Sequence, residues 1–254
     1  MFIVRKLSRP SIETEEGLNR SYWFAHDHVQ MAMTIQTLVQ GDRLTPTLQM
    51  FIGRPVLIVV DIQRGYGMSA EEMGITLMNG ASQMIGRAER VVEAARDADV
   101  PIVFFQEAHR RDGVDFGREL DGDEGTHCME GDLGTEFWPT LTPKDGEYNI
   151  AKRRYSCFFG TDLEILLKGL RASTLILIGG LTDVCIHYTF ADGHQHDYHM
   201  RVVSDCVIGS SEARHTASLS AMEYLQHGAC RTTADVITQF AAYAAATPRK
   251  KGAA

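Results

Sequence analysis

The chain has 254 residues, of which 44% are hydrophobic and 23% charged, with a formal net charge of −8. That is a globular composition, long enough to bury a core without cross-links or structural metal. The acidic balance, without a clustered cationic face, excludes nucleic acid and anionic membrane as partners. No apolar run reaches the ~20 residues that a membrane-spanning helix needs.

Five cysteines, Cys128, Cys157, Cys185, Cys206 and Cys230, are odd in number and irregularly spaced. They read as the reduced thiols of a cytoplasmic protein rather than as a disulfide framework or a zinc ladder. The opening MFIVRKLSRP is basic, but it lacks the apolar core and small-residue cleavage site of a secretory signal, so no processed leader is expected. Residues 1–52 differ from the rest. A polar stretch (SIETEEGLNRS) leads into the loosely helical HVQMAMTIQTLV and then the breaker-rich GDRLTPT. They are expected to form an extension or oligomerisation arm. Its apolar residues Trp23, Phe24, Met31, Met33 and Ile35 would pack on a neighbouring subunit of a homodimer or homotetramer.

The main domain is expected over 53–245, followed by a tail at 246–254. PVLIVVD (55–61) is a continuous apolar, β-branched run, as in a strand buried on both faces. Helical spacing over 81–98 leads into a second strand, VPIVFFQ (100–106). Thr161 and Glu164 have the spacing of a capping box ahead of the apolar helix LEILLKGL. STLILIGG (173–180) is a third strand, followed by a helix from near Asp183 to about His196. RVVSDCVIG (201–209) is a fourth, and a helix at 211–227, a strand at 229–232 and a helix at 233–244 close the domain. Strands alternating with helices predict an α/β protein, a three-layer doubly wound sheet, mostly parallel, with helices on both faces. Ligands of such sheets sit beyond the carboxyl ends of the strands, where Asp61, Glu107 and Gly179–Leu181 fall.

Cys185 lies in GGLTDVC, directly after a strand and at the opening of a helix that Thr182 or Asp183 can cap. Free N–H groups and the positive end of the dipole would favour a thiolate there and lower its pKa. The same amides could hold an oxyanion. Cys206, in mid-strand, and Cys230 read as structural. Cys157 follows the basic KRRYS but lacks the strand–turn–helix setting.

VVDIQ (59–63), AKRRYSCFFGTDLE (151–164) and GGLTDVC (179–185) resemble the three signature segments of the isochorismatase-like cysteine hydrolases, over roughly residues 54–242. That superfamily includes nicotinamidase, N-carbamoylsarcosine amidohydrolase, biuret hydrolase and ureidoacrylate amidohydrolase. The resemblance implies a catalytic triad of Asp61, Lys152 and Cys185. It also implies a cis peptide at Gly180–Leu181 and an oxyanion hole formed by the amides of Leu181 and Cys185. In such a triad Asp61 relays protons, Lys152 favours the thiolate and orients the carboxylate, and the attacked amide passes through a thioester.

Metal-dependent nicotinamidases carry Asp-x-His after the second strand and further histidines downstream. This chain has Glu107-Ala-His109, then Asp115 and His127. Those four are the candidate ligands of a divalent cation. The reading adopted from the sequence has no metal or other cofactor, with Glu107, His109, Arg118 and Phe158 contacting a small amide or ureido substrate. The acidic segment GVDFGRELDGDEGTHC (113–128) is either a solvated loop, a lid over the pocket or a wall lent to a neighbouring subunit's pocket. His187, His194, His196 and His199 suggest a second metal site but are read as ending a helix, where cations suit the dipole. Three functions follow: a metal-free hydrolase of a small amide or ureide, a metal-dependent nicotinamidase-like amidase, and a non-catalytic protein that keeps the fold.

Overall fold

The computed structural model describes residues 49–247; residues 1–48 and 248–254, which hold most of the expected arm and tail, lie outside the described residues. Six parallel strands form the sheet: β1 (Arg54–Val60), β2 (Ile102–Glu107), β3 (Tyr148–Lys152), β4 (Ala172–Gly180), β5 (His199–Ile208) and β6 (Cys230–Arg231). Their order across it is β3-β2-β1-β4-β5-β6. The helices are α1 (Ala70–Met73), α2 (Ala81–Asp97), α3 (Leu163–Leu170), α4 (His187–Gln195), α5 (Glu212–Leu225) and α6 (Thr233–Ala246). None of the described helices is long and apolar enough to cross a membrane.

The strand period of two divides β1 between two cores. Leu57 and Val59 face one side, against Met84, Ala88, Val91 and Val92 of α2 and Val236 and Phe240 of α6. Val56, Ile58 and Val60 face the other, against Leu163 and Leu167 of α3, Phe190 of α4 and Met222 of α5. Each such fully buried side chain contributes about 1.5–3 kcal/mol. Because both faces are covered, the strand reads as an unbroken apolar run. Phe51, just before β1, packs on Phe240, and the backbone of Ile52 bonds the Thr174 hydroxyl in both directions.

One strand goes beyond the expected elements, and two local expectations change. β3 is an edge strand in which only Ile150 and Lys152 are buried, so its sequence carries no apolar run to announce it. The capping box at Thr161 does not form. Asp162 is the N-cap of α3, the Thr161 hydroxyl donates to the Cys157 carbonyl, and Glu164 pairs with Lys168. Capping boxes form instead at Ser69–Glu72 and Thr232–Asp235. The helix expected from Asp183 opens as a π-helical turn, Thr182–Ile186, before α4 begins.

β1 and β4 meet most closely at Gly179, whose φ is 114° and where a Cβ would run into the Val60 carbonyl oxygen. Only glycine fits both demands. Gly179→Ala is therefore expected to destabilise the protein by on the order of 3 kcal/mol, the upper range for a strained backbone position. Urea unfolding measures this, and an unchanged midpoint would contradict the close approach.

Candidate active site

The strand order places a topological switch between β1 and β4. The chain runs outward from β1 to β3, then returns beside β1 and runs outward the other way. Connections leave in opposite directions there and open a crevice at the carboxyl ends of the strands. Asp61 follows β1, Glu107 and Lys152 end β2 and β3, and Cys185 follows β4.

Asp61 has φ 52°, a left-handed conformation that aspartate tolerates better than most residues. Its N–H donates to the Phe105 carbonyl at 3.2 Å, and its carbonyl accepts from Gln63 at 2.9 Å. The buried Gln63 side chain then clasps β2: its amide donates to the Glu107 and Thr135 carbonyls and its oxygen accepts from the Glu107 N–H. Gln63 thus locks the loop after Asp61 to the end of β2.

Cys185 sits inside the π-helical turn. The peptide Gly180–Leu181 just before it is cis. The Leu181 carbonyl accepts from Val184 and Ile186 at 3.1 and 3.0 Å and skips Cys185. Neither Thr182 nor Asp183 caps the turn. Thr182 bonds His215, while Asp183 accepts from the Ser210 backbone and hydroxyl.

The structure brings Asp61, Lys152 and Cys185 together. Lys152 Nζ lies 2.8 Å from Asp61 Oδ2, 3.3 Å from Cys185 Sγ and 3.4 Å from Glu107 Oε2. All four side chains are buried. Burial raises the Asp61 carboxyl, Lys152 pulls it down and Glu107 pushes it up again, leaving it at about 7. Burial disfavours charge on Lys152, but Asp61, Cys185 and Glu107 outweigh it and hold the ammonium well above its usual range. The Cys185 thiol is shifted up rather than down as expected. Burial pushes the Cys185 thiol well up, Lys152 opposes this, and Glu107 and Asp61 reinforce it. One cation already shared by two carboxylates does not also ionise the sulfur.

A second cluster adjoins the first. Glu107, His109, Glu119 and His127 are all buried, and one donor atom from each lies within 4.8 Å of the others. His109 Nε2 is 3.2 Å from Glu119 and 3.7 Å from Glu107, and its ring stacks on Phe116. His127 is fixed through Nδ1 to the Gly125 carbonyl at 2.7 Å, which turns Nε2 towards Glu107 at 4.0 Å. Glu107 Oε1, both Glu119 oxygens and His127 Nε2 make no hydrogen bond among the described residues. Burial lowers the His109 imidazole, but the neighbouring carboxylates of Glu107 and Glu119 raise it to about 9. Burial would raise Glu107, yet Lys152, His109 and His127 take it down to about 2. Two carboxylates and two imidazoles with unused donor atoms fit a borderline divalent cation. Asp115, expected as a ligand, instead faces His109 Nδ1 at 3.5 Å and accepts from the Arg110 N–H, so Glu119 takes the place expected for it.

Cys185, Asp61 and Glu107 floor a cavity of about 360 Å³. Met68, Met73, Met129, Ile75 and Tyr66 supply an apolar wall, and Glu124 and Tyr155 stand at one side. The acidic segment 113–128 is more than a solvated loop, since it sends Glu119 and His127 inward and lends Glu124 and Thr126 to the wall. Arg118 and Phe158 are not in this cavity. Arg118 is 93% exposed and pairs with Asp121, while Phe158 packs on His196 and Tyr198. Cys157 is buried apart from the cavity, with its N–H on Thr189. His187 bonds Ser218, His194 bonds Gln226 and His196 stacks on Phe158, so these histidines form no ligand set among the described residues. Glu119 stood in a run of acids that nothing in sequence separates. The methionines of the wall come from short irregular segments without periodicity.

Fold and site together define an α/β protein of the doubly wound class with a buried Cys–Lys–Asp cluster at its switch point. Residues 55–237 match the isochorismatase domain, and the chain belongs to that family. It is 28% identical to the ureidoacrylate amidohydrolase RutB of Methylobacterium radiotolerans, over 66% of this chain and 72% of that one. It is 29% identical to a probable inactive nicotinamidase of Arabidopsis thaliana, over 66% and 87%. Among solved structures it is similar to a cysteine hydrolase from Pseudomonas syringae pv. phaseolicola, with 25% identity, a TM-score of 0.69, and 79% and 100% of the two chains covered.

Proposed function

We propose that this protein is a cysteine-dependent hydrolase that cleaves a C–N bond of a small amide or ureido compound through a thioester. The observation that carries this reading is Lys152, bonded at once to Asp61 and Cys185 on the floor of the cavity. The named activities of RutB and of the cysteine hydrolase support it.

Cys185 rests as a thiol beside a carboxylate that titrates near neutrality, so Asp61 is the base. As Asp61 takes the thiol proton, the sulfur attacks the carbonyl carbon, and Lys152 offsets the charge that moves onto it. The backbone N–H groups of Leu181 and Cys185 receive the oxyanion. When the C–N bond breaks, the Asp61 carboxyl returns the proton to the departing nitrogen. Water, deprotonated by Asp61, then attacks the thioester, the C–S bond breaks and the sulfur regains its proton.

Cys185→Ser is expected to abolish turnover with the fold intact. Asp61→Asn and Lys152→Ala should each lower kcat on the order of 10²-fold or more, without additivity, because the three act as one unit. Below the Asp61 pKa of about 7 the base is protonated, so kcat/KM falls with falling pH through that value. Small additive losses, or an acid limb near pH 4, would contradict the assignment.

A second reading is favoured by the unused donor atoms of Glu107, Glu119 and His127. These residues and His109 would hold a divalent cation, which when bound polarises and orients a substrate heteroatom. On this reading metal analysis finds about one equivalent of zinc, iron or manganese, lost in Glu119→Gln and His127→Ala. A metal-free protein with chelator-resistant activity would leave the first reading alone.

A further inference from the structure

We infer that the pocket selects neutral or cationic substrates and rejects those carrying a carboxylate or other anion beside the scissile bond. This rests on Cys185 as the nucleophile. None of the described residues lining the cavity is a lysine or arginine, while Asp61, Glu72, Glu107, Glu124 and Asp132 all line it. An anionic group on the substrate would need a free cation there; the imidazole that lines the cavity, His127, turns Nε2 towards Glu107 at 4.0 Å, and the cations behind it are matched. Lys152 is bound to Asp61 and Glu107, and His109 lies between Glu107 and Glu119. A divalent ion in the second cluster would be balanced by those same two glutamates. In the groove outside, Arg118 pairs with Asp121 and Arg214 with Asp123.

The carboxylates of the wall are less well matched. Asp132 is offset by Arg111. Glu72 caps α1, and its bonds to the Ser69 backbone and hydroxyl keep it ionised. Glu124 is half-buried and accepts from the Tyr155 hydroxyl among the described residues; burial and Glu107 raise its carboxyl, while His127 and Tyr155 oppose this. An incoming anion therefore meets Glu124 and Glu107 in a partly desolvated cleft, where like charges repel more strongly than in water, with the solvent-exposed Glu72 adding a weaker, screened repulsion. A neutral amide meets the methionine wall and loses nothing. A cationic group gains from Glu124.

The test uses three methanethiosulfonate reagents of different charge: the neutral methyl, the cationic aminoethyl and the anionic sulfonatoethyl. Rates at Cys185 are read by peptide mass and normalised to a free reference thiol. The neutral and cationic reagents are expected to react at least tenfold faster than the anionic one. Raising the ionic strength should narrow that gap on the unaltered protein, and Glu72→Gln with Glu124→Gln should narrow it further. An anionic reagent as fast as the neutral one, or a gap that neither salt nor the double variant changes, overturns the inference. If that happens while Cys185→Ser still abolishes turnover, only the charge selection fails. If Cys185 reacts with none of the reagents, no charge preference exists at the sulfur and this inference fails, while the nucleophile assignment is decided by the turnover of Cys185→Ser.

Discussion

One buried ammonium organises this site. Lys152 has no access to solvent and lies within 3.4 Å of Asp61, Cys185 and Glu107. A charge in such a place persists only if matched, and breaking a buried pair strands the partner at a cost of about 3–5 kcal/mol. The lysine therefore holds both carboxylates beside the sulfur. It also decides how the sulfur can react. Burial outweighs its pull on the Cys185 thiol and holds that thiol above its usual range, so on the proposed mechanism the proton passes to Asp61 as substrate arrives.

The sheet delivers these groups because its order reverses between β1 and β4. Asp61 and Cys185 come from strands on either side of that reversal. Gly179 lets the two strands approach, and Gln63 holds the loop after β1 to the end of β2. Lys152 comes from β3, an edge strand whose only inward residues are Ile150 and the lysine itself. A weak strand thus carries the central charge, and it is held in the sheet by backbone pairing with β2.

What could be read from sequence followed physical rules. Strands buried on both faces, such as β1 and β4, announce themselves as apolar runs, and so do their carboxyl ends. The edge strand β3 does not, and its lysine was legible only through a resemblance. The protonation of Cys185 could not be read from its helix-opening position. It depends first on burial and then on Lys152, Glu107 and Asp61, which lie far away in the chain. Glu119 and Asp115 are alike in sequence, and only the turn at Glu119–Asp121 points the first inward. Arg118 stands next to it and faces water. Phe158 likewise belongs to an aromatic stack outside the cavity.

The proposed chemistry makes one species that no binding protein or thiol-independent enzyme would make, a thioester on Cys185. Acid-quenched turnover of a hydrolysable amide, followed by peptide mass mapping, tests for it directly. The account predicts an adduct of the acyl mass on the peptide bearing Cys185, forming and turning over more slowly as pH falls through about 7, where the Asp61 base that serves both steps becomes protonated. Turnover without any adduct on Cys185, or with the adduct on Cys157 or Cys128, would contradict it.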